Sequence, residues 1–238
     1  MCSMEEDNTL GNKQEKWIKR YSSSHKILLV GEGDFSFSSC LANAFGYATN
    51  MVATSRDPRE ELLSKYTRAE ENLKDLEDLG CNILHGIDAH TMSEHAFLKL
   101  KVFDRIVFNF PHSGFNTVFR EHDSWLIRRH QDLVRGFLRS AKNMLAENGE
   151  VHITHKTAYP FSKWEIEELA EKEGLSLVEK EAFYRSDYPG YENKRGDGMS
   201  CDLAFPVGQS STLKFNKASE KLIEKKKKKQ GIRESVAR

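Results

Sequence analysis

Residues 26–38, KILLVGEGDFSFS, constrain this chain more than any other stretch. The apolar β-formers of residues 27–30 end in Gly31, Glu32 and Gly33, and an apolar segment at helical spacing (Phe37, Cys40, Leu41, Ala44, Phe45) follows, with Gly46 placed to stop it. Strand, glycine turn and helix in that order are how α/β proteins build a cradle for a nucleotide. Gly31 and Gly33 fill the first two places of a G-x-G-x-x-G turn, and Ser36 stands in the third. On the triplet alone, a plain tight turn fits as well as a nucleotide site.

The rest of the chain repeats the alternation. Strand-like segments read as NMVATS (50–55), NILHG (82–86), DRIVFNF (104–110), EVHIT (150–154), LSLVEKEAFY (175–184) and STLKF (211–215). Between them, Leu62, Tyr66, Ala69, Leu73 and Leu76 predict one helix stopped by Gly80. Leu126, His130, Leu133, Phe137, Ala141 and Met144 predict a long helix stopped by Gly149. Ser162 and Glu165 have the spacing of a capping box opening a helix that ends near Gly174. The last two strands are joined by an irregular loop, which predicts an antiparallel edge hairpin. The expected fold is therefore Rossmann-like α/β: a seven-stranded, mostly parallel sheet with helices on both faces. Residues 1–24 read as a flexible leader, 25–215 as one domain, and 216–238 as a basic, unstructured tail.

Composition excludes several classes. The formal charge is zero, yet residues 216–238 hold nine Lys/Arg against three Glu, leaving 27 positive and 33 negative charges in the remainder. An acidic body with a basic tail suits a globular enzyme with an electrostatic handle rather than a whole-surface nucleic-acid binder. No apolar run approaches the roughly 20 residues that span a bilayer, and the first residues lack the apolar core of a secretory signal. Cys2, Cys40, Cys81 and Cys201 form no CxxC pair, which argues against zinc and disulfides and fits a reducing compartment. The nine histidines show no ligand-like spacing, and His152 and His155 on a strand face opposite sides, so no metal site is expected.

Ligands of such sheets bind beyond the carboxyl ends of the strands, so four stretches belong together: GEGDFSF, TSRD, GIDAH and NFPH. After the second strand, Ser55 or Asp57 can hold a ribose, while Asp57-Pro58 equally opens a helix. Asp88, after the third, can read an adenine amino group or close a turn. The fourth stretch is the most informative. Asn109, Pro111 and His112 follow a buried strand, and the pattern resembles the Asn/Asp-Pro-Pro-aromatic loop with which amino-methylating enzymes hold a planar nitrogen beside the methyl donor. Methyl transfer from a sulfonium is an in-line displacement, so the nitrogen must be aligned with the S–CH₃ bond. Asn109 offers both a carbonyl and an amide, proline stiffens the loop, and flanking rings can stack on a base. The plainer alternative is that Asn and Pro end the strand. His112 can act as a general base or be a packed polar side chain. The loop DYPGYENKRGDG puts Tyr188 and Tyr191 beside Lys194 and Arg195, a composition that suits base stacking and phosphate pairing but also plain turns. Lys225 to Lys229 can neutralise RNA phosphate or serve as a nuclear or nucleolar address.

Taken jointly, KILLVGEGDFSFS, ATS, FDRIVFNFPH, NGEVHITHK and YPGYENKRG resemble the eukaryotic 25S-type rRNA (uridine-N3)-methyltransferase family, its plant members in particular, over residues 21–215. The resemblance implies a class I methyltransferase fold using S-adenosylmethionine, with RNA of the large ribosomal subunit or its precursor as partner. It implies a donor loop of Gly31, Glu32, Gly33, Asp34, Phe35 and Ser36, completed by Ser55, Asp57, Asp88 and Asn109. The acceptor loop would be Asn109, Phe110, Pro111 and His112, with Phe110, His112, Tyr188, Tyr191, Lys194 and Arg195 touching substrate. A nucleolar or nuclear location is expected, with the cytoplasm as the alternative. Two rival readings remain at this level: a catalytically silent RNA- or protein-binding module of the same fold, and a nicotinamide oxidoreductase, which the absent third glycine disfavours.

Overall fold

In the computed structural model, which describes residues 14–115 and 119–218, the expected sheet forms with seven strands in one layer. A short hairpin, β1 (Trp17–Ile18) and β2 (Tyr21–Ser22), precedes β3 (Ile27–Val30), α1 (Ser36–Phe45) and β4 (Met51–Thr54). Then come α2 (Arg59–Lys65), α3 (Ala69–Asp78), β5 (Asn82–Leu84) and β6 (Phe103–Asn109). The second half is α4 (Ser124–Met144), β7 (Leu145–Lys156), α5 (Ile166–Lys172), β8 (Leu175–Ala182) and β9 (Ser210–Lys217). Strand order is β5-β4-β3-β6-β7-β9-β8. Pairing is parallel from β5 through β7, whereas β9 runs antiparallel between β7 and β8, which gives the expected edge hairpin.

Alternation along the strands fills both faces. Leu28, Val30, Ile106 and Phe108 point to one side, where Val134, Phe137 and Leu138 of α4 and Ile166 of α5 cover them. Ile27, Leu29 and Val107 point to the other, against Leu41 and Phe45 of α1 and Leu73 and Leu76 of α3. A fully buried aliphatic side chain contributes roughly 1.5–3 kcal/mol of transfer free energy, so these two layers dominate the favourable side of folding. Beside β3 the chain order reverses: β4 lies on one flank and β6 on the other. That reversal leaves a crevice at the strand ends.

Four local expectations are corrected. The helix expected from Leu62 to Leu76 is two, because Tyr66 caps α2 in an extended conformation (φ −126°) and buries its ring in the core. The long helix stops at Met144 rather than at Gly149. Gly149 instead lies inside β7, where a Cβ would stand 2.9 Å from the Phe103 carbonyl oxygen. Glu165, not Ser162, caps α5, in a left-handed conformation (φ 52°) with no side-chain capping bond. The presumed loose leader is anchored from residue 14 on, with Tyr21 buried against Phe37, His152 and Tyr188. Residues 1–13 and the tail from residue 219, including Lys225 to Lys229, lie outside the described residues. Among the described residues no helix is long and apolar enough to cross a membrane.

Candidate active site

The four strand ends meet in one cavity of about 870 Å³. Gly31, Glu32, Gly33 and Asp34 line it from β3, Ser55 and Asp57 from β4, Asp88 from beyond β5, and Asn109, Phe110 and His112 from β6. Because Val30 lies in register with Phe108, the glycine turn and the asparagine corner share one rim of adjacent strands. Gly31 (φ +68°) is required there twice over: its backbone is left-handed, and a Cβ would fall 2.4 Å from the Phe108 ring.

On the β3 side the walls are acidic. Glu32 turns its carboxylate inward, where Oε2 accepts bonds from the Ser38 backbone N–H (3.1 Å) and hydroxyl (2.8 Å). Burial pushes its pKa up to about 7, against those two bonds. Asp34 Oδ1 accepts the Ser36 N–H at 3.0 Å, while Oδ2 is buried without a hydrogen-bond partner and lies 3.7 Å from Lys194 Nζ. The Lys194 ammonium also meets Glu192 (2.7 Å) and Asp202 (2.8 Å). At β4, Asp57 pairs with Lys65 at 3.1 Å and its N–H donates to Ser55 Oγ at 3.3 Å. Asp88 accepts the His90 N–H at 2.8 Å, closing a turn at the cavity edge.

On the β6 side, Asn109 is the salient group. Its Oδ1 and Nδ2 are both buried and neither has a hydrogen-bond partner. A buried amide without partners costs of order 1–3 kcal/mol, so such a group marks a place where another molecule completes the bonds. Phe110 adopts a left-handed backbone (φ 48°), held by its N–H to the Thr154 carbonyl (2.7 Å) and by packing of its ring between Phe183 and Phe205. Beyond it, His112 Nδ1 accepts the Gly114 N–H (3.2 Å), and His112 Nε2 meets Glu121 Oε1 at 2.9 Å. His130 Nδ1 accepts the Ser113 N–H (3.2 Å), while its Nε2 lies 3.4 Å from Glu121 Oε2 without a hydrogen bond between them. Each Nδ1 lone pair is therefore occupied, so the proton of each neutral imidazole sits on Nε2 and faces the carboxylate.

This cluster has the composition of a metal site, with ligand atoms within 4.8 Å of one another. Its hydrogen bonding does not suit one, because a metal would need the Nε2 lone pairs that carry the protons. It is a clamp: His112 hydrogen-bonds Glu121, His130 lies beside the other carboxylate oxygen, and the three tie the loop after Asn109 to α4. Burial works against ionisation of Glu121, yet His112 and the neighbouring His130 hold its carboxyl well below the usual range.

The model for BMT5-like rRNA (uridine-N3-)-methyltransferases matches residues 28–195. The chain belongs to this family. It is 56% identical over 205 residues to an uncharacterized Arabidopsis thaliana protein, At4g26485, covering 86% of this chain and 98% of that one. It is 53% identical over 202 residues to heavy metal-associated isoprenylated plant protein 41 of the same plant, covering 85% of this chain but only 39% of that relative's length. The 25S rRNA (uridine(2634)-N(3))-methyltransferase of Saccharomyces cerevisiae is 28% identical over 232 residues, 75% of this chain and 68% of that one. Among solved structures, NSun6 from Pyrococcus horikoshii with SFG superposes with a TM-score of 0.53 at 15% identity, over 83% of this chain and 49% of that one, a likeness of fold. The architecture is that of class I methyltransferases, and the family uses S-adenosylmethionine.

The residues present fit that donor. Its sulfonium and ammonium are cationic, and the β3 side offers the buried Glu32 carboxylate and Asp34 Oδ2, which accepts no hydrogen bond. Ser55, Asp57 and Asp88 line the same cavity beyond the ends of β4 and β5.

Four of the expected site residues do not line the cavity. Phe35 is fully buried, and its left-handed backbone (φ 61°) serves to start α1. The Ser36 hydroxyl accepts the Glu192 N–H (2.9 Å) and donates to the Glu192 carbonyl (3.2 Å), tying the 188–205 loop over the glycine turn. Pro111 is buried beneath the acceptor loop. Tyr188 packs in the core against Phe37 and Phe183, out of reach of substrate. Lys194 does line the cavity, but its three carboxylates leave it no freedom to meet a phosphate. Tyr191 lines the cavity with its ring against Phe37, and only Arg195 of that loop is an exposed cation there. His112 reaches the cavity, yet its occupied Nδ1 and protonated Nε2 leave no lone pair for a general base. Arg129 and Phe115, which line the cavity, and Glu121, which meets His112, were not legible as site residues, since only tertiary packing brings them there.

Proposed function

We propose that this chain is an S-adenosylmethionine-dependent RNA methyltransferase that methylates uridine N3 in large-subunit rRNA. Family membership supports the activity. The observation that carries the assignment to this cavity is the unpartnered, buried amide of Asn109 on the same rim as Asp34 Oδ2, which has no hydrogen bond and lies 3.7 Å from Lys194 Nζ. A uracil edge offers a carbonyl on either side of N3, and the Asn109 Nδ2–H can donate to one of them while N3 stays free to face the donor.

When bound, the donor supplies an electrophilic methyl on a sulfonium. Gly31 to Asp34 hold its amino-acid end, and Ser55, Asp57 and Asp88 its nucleoside end. Asn109 holds the base so that its nitrogen points at the β3 side, and Phe110 stacks or abuts the ring. The donor would supply its methyl to N3, and the N3 proton would leave to water, because His112 has no free lone pair. His112, Glu121 and His130 fix the loop on which this depends.

The described residues 14–218 form the catalytic unit in this reading, and the site of action is the nucleolus or nucleus, on large-subunit rRNA or its precursor. Incubating the full chain with rRNA and isotopically labelled methyl donor, followed by nucleoside mass spectrometry, tests it. Label is expected in N3-methyluridine, and label confined to another nucleoside, or none at all, would reject it.

A further inference from the structure

Beside the cavity, next to its lining residues Phe115, Arg129 and Arg195, lies an exposed aromatic surface formed by Phe119 and Trp125. Trp125, at the start of α4, stacks on Phe119 (centroids 4.6 Å, interplanar 28°), and the Arg129 guanidinium lies 5.1 Å over the Trp125 ring. Phe115 has the Arg195 guanidinium 5.9 Å from its ring and the His112 ring at 4.4 Å. Phe115, Phe119 and Trp125 are between 37% and 45% exposed, an unusual display of ring surface. Arg129 and Arg195 both line the cavity, and neither has a carboxylate partner among the described residues. The two nearby acids are engaged elsewhere: Asp197 accepts the N–H groups of Phe115 and Gly198, and Asp132 lies 3.7 Å from Arg135.

We propose that this surface, Phe115, Trp125, Arg129 and Arg195, binds an unpaired RNA strand flanking the target nucleotide, with bases on the rings and phosphates on the guanidiniums. The proposal rests on the methyltransferase reading and names the form of RNA that the site takes. Two arguments favour a single strand over a duplex. Rings beside guanidiniums that meet no carboxylate suit unstacked bases, whereas a duplex is held through its phosphates and minor groove and offers no base face to stack on. The Asn109 amide is also buried at the cavity floor, so only a base already out of a helix reaches it.

The test uses the full chain, fluorescence anisotropy and two probes: labelled decauridylate and an RNA hairpin of equal phosphate number. Decauridylate is expected to bind about tenfold or more tighter than the hairpin, and Trp125→Ala to weaken it by roughly tenfold, within the range of base–aromatic stacking. Arg129→Gln and Arg195→Gln should each reduce the salt slope of decauridylate binding by about 0.7, the loss of one phosphate contact on a single strand. Arg139→Gln, whose guanidinium pairs with Glu173 on the far part of α4, should change neither. Quenching of tryptophan emission by decauridylate that disappears in Trp125→Phe supports stacking at that ring. Equal affinity for hairpin and decauridylate, or wild-type binding in Trp125→Ala and Arg195→Gln together, overturns the proposal. Trp125-dependent binding without methyl transfer would sink the enzyme reading and keep the surface, and transfer indifferent to Trp125 would do the reverse.

Discussion

The two sides of the cleft solve opposite electrostatic problems with the same residue types. On the β3 side the cations are spent internally: Lys194 meets Asp34, Glu192 and Asp202, Lys65 meets Asp57 and Glu61, and Arg68 meets Glu71 and Glu192. Carboxylates outnumber cations in these groups, and Arg56, exposed at the mouth, is the exception. On the β6 side, Arg129 and Arg195 lie over aromatic rings without carboxylates. An acidic wall suits a small cationic donor, and bare guanidiniums suit a polyanion. One cleft can thus hold both ligands without either being drawn to the wrong half.

The largest effect that would break this contrast is structural. Gly31→Ala should destabilise the fold by about 4 kcal/mol, combining a left-handed backbone with a Cβ forced into the Phe108 ring. Denaturant unfolding measures it, and a loss under about 1 kcal/mol would show that the two strand ends are not locked together as described. Next comes Lys194→Ala, which leaves three carboxylates facing one another with the ammonium gone. It should cost about 3 kcal/mol of stability while leaving the salt slope of RNA binding unchanged, the reverse of Arg195→Gln.

A subtler probe is pH, because the two buried carboxylates titrate with opposite sign. Glu32 has its pKa raised by burial to about 7, so the folded protein binds the extra proton between about pH 4.5 and pH 7. Its contribution to stability is present below that window and drains as pH rises through it, by about 2–3 kcal/mol. Glu121 has its pKa lowered, so its contribution is present above the ordinary glutamate range and is lost as pH falls through and below it. Glu32→Gln should therefore flatten the loss of stability on the alkaline side, and Glu121→Gln the loss on the acid side. Matching pH profiles for the two variants would erase the distinction between the walls.

Sequence carried the sheet well because its strands alternate or run apolar with clear glycine stops, as at Ile27–Val30 and Phe103–Asn109. The donor loop and the asparagine corner were legible for a related reason: residues at the ends of adjacent parallel strands must converge. The 188–205 loop was misread because composition says nothing about direction. Tyr188 and Lys194 have the chemistry to meet RNA, but one points into the core and the other is sealed by distant carboxylates. Conversely, Glu121 and Trp125 carried no local signal, since their roles arise from tertiary packing. Tyr66 broke a helix whose apolar spacing ran through it, because tertiary burial of the ring outweighed the continuation of the hydrogen-bond ladder.

The central claim is that Asn109 holds the acceptor base while the ends of β3, β4 and β5 hold the donor. The direct measurement is on Asn109→Ala, with calorimetry of methyl-donor binding beside the rate of labelled methyl transfer to rRNA. Transfer should fall about a hundredfold, the scale of removing one positioned polar group, while donor affinity moves by less than about threefold. Transfer at the wild-type rate, or donor affinity lost in step with it, would contradict the account.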